Sequence, residues 1–126
     1  MSGKVVHFEI PYDDGDRART FYREVFGWSI DDQMMPHYSI VQTGEVDGDG
    51  WPVERGYIGG GMLKRESPAD RPVITIEVED IDEALAKIEA SGGQKLLGRQ
   101  DVGDMGYAAY FKDVEGNLMG LFQPRS

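Results

Sequence analysis

The stretch V-V-H-F-E-I, residues 5–10, places two side chains able to do chemistry in an otherwise apolar, β-prone run. Residues two apart on a strand point to the same side. His7 and Glu9 therefore share one face, and Val6, Phe8 and Ile10 take the other. An imidazole beside a carboxylate can hold a metal ion or move protons. A second stretch, V-I-T-I-E-V at residues 73–78, repeats the pattern. There Glu77 answers Glu9 and shares its face with Val73 and Thr75. His7, Glu9 and Glu77 are thus the candidate catalytic set, a cluster of two carboxylates and one imidazole. The alternative reading keeps them as hydrated or hydrogen-bonded residues on the inner face of a half-barrel. Carboxylates in such a place are costly unless paired, hydrated or ligated.

The elements that must position these residues come in two rounds. In the first, a strand over 4–10 is stopped by Pro11, and the Asp13–Asp16 stretch supplies turn and N-cap chemistry. A helix follows over 16–26, with Ala18, Phe21, Tyr22, Val25 and Phe26 on one apolar stripe. Gly27 suits its C-terminal cap. Strands are predicted over 28–33, 37–43 and 57–63. The second round has a strand over 73–78 and a helix capped by Asp80, with Glu83 placed for a capping box. Gly92 and Gly93 end that helix, and strands are predicted over 94–97, 107–112 and 117–123. The order is β-α-β-β-β, twice, and internal repetition is one of the more informative sequence features. The segment 44–56, G-E-V-D-G-D-G-W-P-V-E-R-G, is too rich in glycine and acid for a strand and reads as a long loop. Trp51 within it is either folded back to pin the loop or a lid residue over a pocket.

Composition excludes several classes of function. The 126 residues suffice for one compact domain. A net charge of -10, with scattered Lys and Arg, leaves no basic stripe for nucleic acid or an anionic membrane. No apolar run approaches the roughly 18 residues of a membrane helix. The start of the chain lacks the apolar region of a signal peptide. Absence of cysteine removes disulfides, thiol nucleophiles and zinc–thiolate sites together. A cytoplasmic protein is the expectation.

Three stretches together carry a resemblance: V-H-F-E-I-P-x-D-D-x-D-R-A-x-x-F-Y-x-x-V-F-G-W, E-V-x-D-I-D-E-A and Y-F-K-D-x-E-G-N. They resemble the vicinal oxygen chelate superfamily, which groups glyoxalase I, bleomycin-resistance proteins and extradiol dioxygenases, and more narrowly its small bacterial glyoxalase-like members. The match runs from Val5 to Gln123. It implies an α+β fold of two βαβββ modules, about 4–65 and 72–124, each a curved half-barrel within a single glyoxalase-like domain, usually in a homodimer.

In metal-dependent members of that superfamily, ligands stand at four equivalent positions. The resemblance places the first at His7. Counting back from Asp82-Glu83-Ala84 places the third at Val73, and counting on from Asp113 places the fourth at Gly120. The internal repeat puts the second at or near Gly60. Valine and glycine offer no side-chain donor, and zinc, nickel or iron(II) sites generally need at least three N/O ligands from the protein. His7 is then the only retained ligand position, and no resident cofactor is expected. The glyoxalase and dioxygenase reactions use the metal as a Lewis acid, so neither follows from the resemblance, and whether the chain is an enzyme stays open.

The expected ligand pocket draws on Trp51, Tyr57, Gly60, Met62, Val73, Thr75, Tyr107, Tyr110, Gly120 and Phe122. Tyr38, Tyr57, Tyr107 and Tyr110 offer hydroxyls that could orient a ligand. Met34, Met35, Met62, Met105 and Met119 fill irregular core space or line adaptable pockets. Glycine on inner strands opens volume. The expected function is a metal-independent, glyoxalase-like or bleomycin-resistance-like protein that binds a small organic molecule in a β-barrel cavity. An acidic chain suits a cationic ligand better than an anionic one. The alternative is a lyase, isomerase or dioxygenase-type enzyme with a non-standard site at His7, Glu9 and Glu77. A third reading is a regulatory module that meets another protein through residues 44–56.

Overall fold

The computed structural model describes residues 3–35 and 37–125, leaving the side chains of Met34 and Met35 undescribed. The expectation that those two methionines line a pocket therefore lies outside the described residues. Two compact units form. Of the described residues, those within 7–72 make up one, and residues 73–125 together with 3–6 make up the other.

The 7–72 unit contains most of β1 (Val5–Tyr12), then α1 (Gly15–Phe26), β2 (Ser29–Met35), β3 (Tyr38–Gln42) and β4 (Gly60–Lys64). Its strands lie in the order β2-β3-β4-β1, with β1 parallel to β4 and the other pairs antiparallel. Pro11 does not stop β1, which continues to Tyr12. Proline withholds only a donor from a strand, and the Tyr12 carbonyl still accepts from the Arg65 N–H at 2.8 Å. Helix α1 has local start and stop signals. The Asp14 carboxylate accepts from the Arg17 N–H, and Gly27 takes the left-handed conformation at φ 72° while donating to the Arg23 carbonyl.

The apolar stripe of α1 is only partly used. Ala18 and Tyr22 pack on a core of Ile30, Val41 and Met62, joined by Phe8, Ile10, Tyr12 and Trp28. The Tyr22 and Trp28 rings stack at 4.7 Å. Phe21, Val25 and Phe26 stay more than half exposed.

The other unit holds β5 (Val73–Glu77), α2 (Ile81–Ala90), β6 (Gln94–Asp101), β7 (Gly106–Lys112) and β8 (Leu118–Pro124), with strand order β5-β8-β7-β6. The chain start is tied to it, since Gly3 donates to the Glu77 carbonyl and Glu77 donates to that of Lys4, both at 2.8 Å. Its core comprises Val78, Ile81, Leu85, Ala109, Phe111 and Leu121. Asp80 caps α2 by accepting from the Glu83 N–H at 3.1 Å. The side chain of Glu83 pairs with Lys87 one turn on, at 3.4 Å, and the Gln123 side chain accepts the neighbouring Ile81 N–H at 2.9 Å. Asp80→Ala is expected to lower stability by about 1 kcal/mol, read from urea denaturation. Among the described residues, no helix is long and apolar enough to cross a membrane.

Candidate functional site

Strand alternation decides which side chains can meet. In the 7–72 unit, Phe8, Ile10 and Tyr12 face the α1 core, so His7, Glu9 and Pro11 take the opposite face of β1. The register sets Glu9 beside Gly61 of β4 and Gly61 beside Ile40 of β3. Tyr38 pairs with Leu63, two residues along β4 on that same face.

From β3, the Tyr38 side chain reaches across β4 to β1. Its hydroxyl lies 2.7 Å from His7 Nε2 and donates to Glu9 Oε2 at 2.8 Å. The His7 and Tyr38 rings are nearly coplanar in orientation, 13° apart, with centroids separated by 6.3 Å. This path exists because β4 offers glycine where the phenol passes. A Cβ on Gly61 would overlap the Tyr38 Oη, Cζ and Cε1 atoms. The glycine at 61 leaves room over β4, and a side chain from the neighbouring strand fills it.

Electrostatics match this geometry. Burial favours the neutral imidazole, and the pKa of His7 is lowered from 6.5 to about 4. Glu9 is 9% exposed, and the phenol gives its carboxylate one of the bonds that burial demands.

Several expected site residues fall elsewhere. Gly60 stands one position from the His7 face and looks toward Phe8, whose carbonyl and ring a Cβ would strike. Gly61 is the glycine on the His7 face, because one residue of shift along a strand reverses the side. Met62, two residues from Gly60, is wholly buried in the α1 core. Tyr107 likewise packs with the α2 core. The guanidinium groups of Arg99 and Arg125 lie 5.1 and 4.7 Å from the centre of its ring. The Trp51 side chain is 69% exposed, while its backbone is tied to Asp47, whose N–H donates to the Trp51 carbonyl at 2.8 Å and whose carboxylate accepts from the Trp51 N–H at 3.0 Å. Tyr57 pins the loop instead: its ring covers Gly44, and its hydroxyl donates to the Glu45 carbonyl while accepting from the Val53 N–H.

In the other unit, the register aligns Thr75, Gly120 and Tyr110 across three strands, with Glu77 and Phe122 paired further along. Val73 and Thr75 are buried, and their side chains border Gly120. These six share one strand face, as alternation predicts. Among the described residues, no group of three or more His, Asp or Glu side chains is arranged to hold a metal ion. Tyr38, expected to offer a hydroxyl that could orient a ligand, is the residue that joins His7 to Glu9. Its signal in the sequence is Gly61, the glycine of β4 over which its ring passes, two residues from its register partner Leu63, and that is readable only once the register is known.

Comparison with known proteins agrees with this architecture. A sequence model described as bleomycin resistance protein-like N-terminal matches residues 4–44. A Mycobacterium tuberculosis protein named "Putative glyoxylase CFP32" is 30% identical over 118 residues, which are 87% of this chain and 41% of that protein. The chain thus spans about two-fifths of that relative's length. A "Glyoxylase-like domain-containing protein" of Didymella fabae is 29% identical over 130 residues, covering 96% of this chain and 94% of its own. Among solved structures, methylmalonyl-CoA epimerase of Streptomyces coelicolor in complex with 2-nitronate-propionyl-CoA superposes with a TM-score of 0.68 at 19% identity, covering all of both chains. A hypothetical protein from Bacillus halodurans gives a TM-score of 0.66 at 17% identity, over 100% of this chain and 97% of that one. The repeated β-α-β-β-β order, the paired V-H-F-E-I and V-I-T-I-E-V strands and these likenesses agree: the chain belongs to the vicinal oxygen chelate superfamily.

Proposed function

We propose that this chain is a metal-independent member of its superfamily that binds a small organic molecule on the face of β1 carrying His7 and Glu9. The observation that supports this most is the engagement of His7 Nε2 by the Tyr38 hydroxyl at 2.7 Å. A nitrogen hydrogen-bonded in this way has no lone pair left for a cation, and breaking the bond would also strip a partner from buried Glu9. The residues at the other expected ligand positions are Val73, Gly120 and the Gly60–Gly61 pair, none with a side-chain donor. This set does not fit the divalent ion of the metal-dependent members, because one imidazole cannot hold such an ion against water. The net charge of -10 favours a cationic or neutral ligand. The working assembly in this reading is a homodimer, as the resemblance implies.

Elemental analysis of the purified protein, followed by calorimetric titration with zinc, nickel, cobalt and manganese, tests the metal half of the proposal. The expected result is sub-stoichiometric metal and no saturable heat. A stoichiometric ion lost on His7→Ala overturns it. A thermal-shift screen of small cations, aromatics and thiol conjugates tests the binding half. A ligand at about one hundred times its Kd stabilises the fold by about 2.7 kcal/mol, and a flat response across a broad library counts against a working site.

A further inference from the structure

The chain of contacts among His7, Tyr38 and Glu9 has a direction. A phenol carries one proton to donate, and a carboxylate only accepts. With the Tyr38 proton directed to Glu9 Oε2 at 2.8 Å, the phenolic oxygen meets His7 as an acceptor, 2.7 Å from Nε2. Nε2 must then carry the hydrogen, and in a neutral imidazole this leaves Nδ1 with the lone pair. The low pKa of His7 is consistent with a neutral ring at physiological pH.

Nδ1 is not fully sealed from solvent. Among the described residues, the hydrogen-bond partner of the His7 ring is Tyr38. None of their side-chain nitrogens or oxygens that are sealed from solvent lacks a hydrogen bond. A nitrogen with no protein partner is therefore not sealed.

We propose that His7, locked as its Nε2–H tautomer by the Tyr38–Glu9 relay, is a binding site whose Nδ1 accepts a hydrogen bond from an N–H or O–H group of the ligand. The ligand class is thus a small amine, ammonium or alcohol, and carboxylates and other pure acceptors are rejected. Tyr38 and Gly61 are positioning residues: Tyr38 sets the tautomer, and Gly61 leaves the strip of β4 over which the phenol passes. This rests on the reading of a metal-free site, because a metal on Nε2 would displace the phenol.

The test uses the intact 15N-labelled protein at pH 7 and two-bond proton–nitrogen correlation of its two histidine rings, with His7 assigned by His7→Gln. In the wild type, Nε2 of His7 is expected as the protonated nitrogen and Nδ1 as the bare one. Benzylamine, an ammonium at this pH, is the probe, and benzoate is its size-matched acceptor control. Benzylamine is expected to shift Nδ1 toward the hydrogen-bonded range while benzoate leaves it in place. Tyr38→Phe is expected to let both tautomers populate and to weaken benzylamine binding about tenfold. An Nδ1–H tautomer in the wild type overturns the proposal, because the relay would then run from a protonated Glu9. So does an unresponsive His7 at tens of millimolar benzylamine, or an equal response to benzoate. These outcomes are separable from failure of the metal-free reading, which shows as a stoichiometric ion in the elemental analysis.

Discussion

Gly61→Ala is expected to destabilise the protein by about 2–4 kcal/mol and to break the Tyr38 bridge to His7 and Glu9. The added methyl group would lie within the space of the phenol, so Tyr38 must swing off β4 or the strands must part. If the ring leaves, Glu9 keeps its burial and loses a hydrogen bond to its carboxylate. Removing the ring first should relieve the clash. In a Tyr38→Ala background, Gly61→Ala is expected to cost under about 1 kcal/mol, a coupling that a double-mutant cycle by urea denaturation reads directly. Gly48→Ala serves as the control, because a Cβ there meets nothing within 4 Å. Equal costs of Gly61→Ala in both backgrounds would show that Tyr38 does not cross β4 as described.

The second large effect is on acid stability. His7 titrates at about 4 in the fold, against 6.5 when unhindered by burial. Between those values, the unfolded chain binds a proton that the folded chain refuses. Stability therefore rises with pH across this window, is complete above about 6.5, and falls as the pH drops toward 4, by up to about 3 kcal/mol. Below about 4 both states are protonated, and His7 contributes no further slope. Paired aspartates such as Asp101 and Asp113, held below the usual carboxylate range by Arg125 and Asn117 respectively, lose their contributions only at lower pH. The two causes separate along the pH axis. Denaturation midpoints from pH 7.5 to 4.5 should show the fall in the wild type and most of it gone in His7→Gln. An unchanged profile in that variant would mean that the ring is not buried as a neutral group.

How much of this was legible before the fold was known varies with how local each cause is. Helix α1 was readable because Asp14 and Gly27 act within a few residues of the elements they bound. The β-α-β-β-β order was readable because apolar period and turn residues repeat in both halves. Strand β4 was placed too early, at 57–63, because Tyr57 looks like a strand residue, whereas its ring and hydroxyl hold the preceding loop. Only Ala18 and Tyr22 of the α1 stripe reach the core, since a periodic pattern does not say how wide a face the sheet covers. The pairing of His7 with Glu9 on one face followed from alternation alone. The bridge between them did not, because Tyr38 is 31 residues from His7 and their meeting depends on the register of two strands against β4. For the same reason Gly60 was put on the face that Gly61 occupies, a one-residue slip that no local signal corrects.

The central claim is that Tyr38, not a metal ion, satisfies His7. A crystal structure of the protein grown with millimolar nickel(II) addresses it most directly. The Tyr38 hydroxyl is expected to remain about 2.7 Å from His7 Nε2 and to keep Glu9 as a partner, with no ion on Nε2. An ion coordinated by His7 Nε2, with the phenol turned away from Glu9, would contradict it.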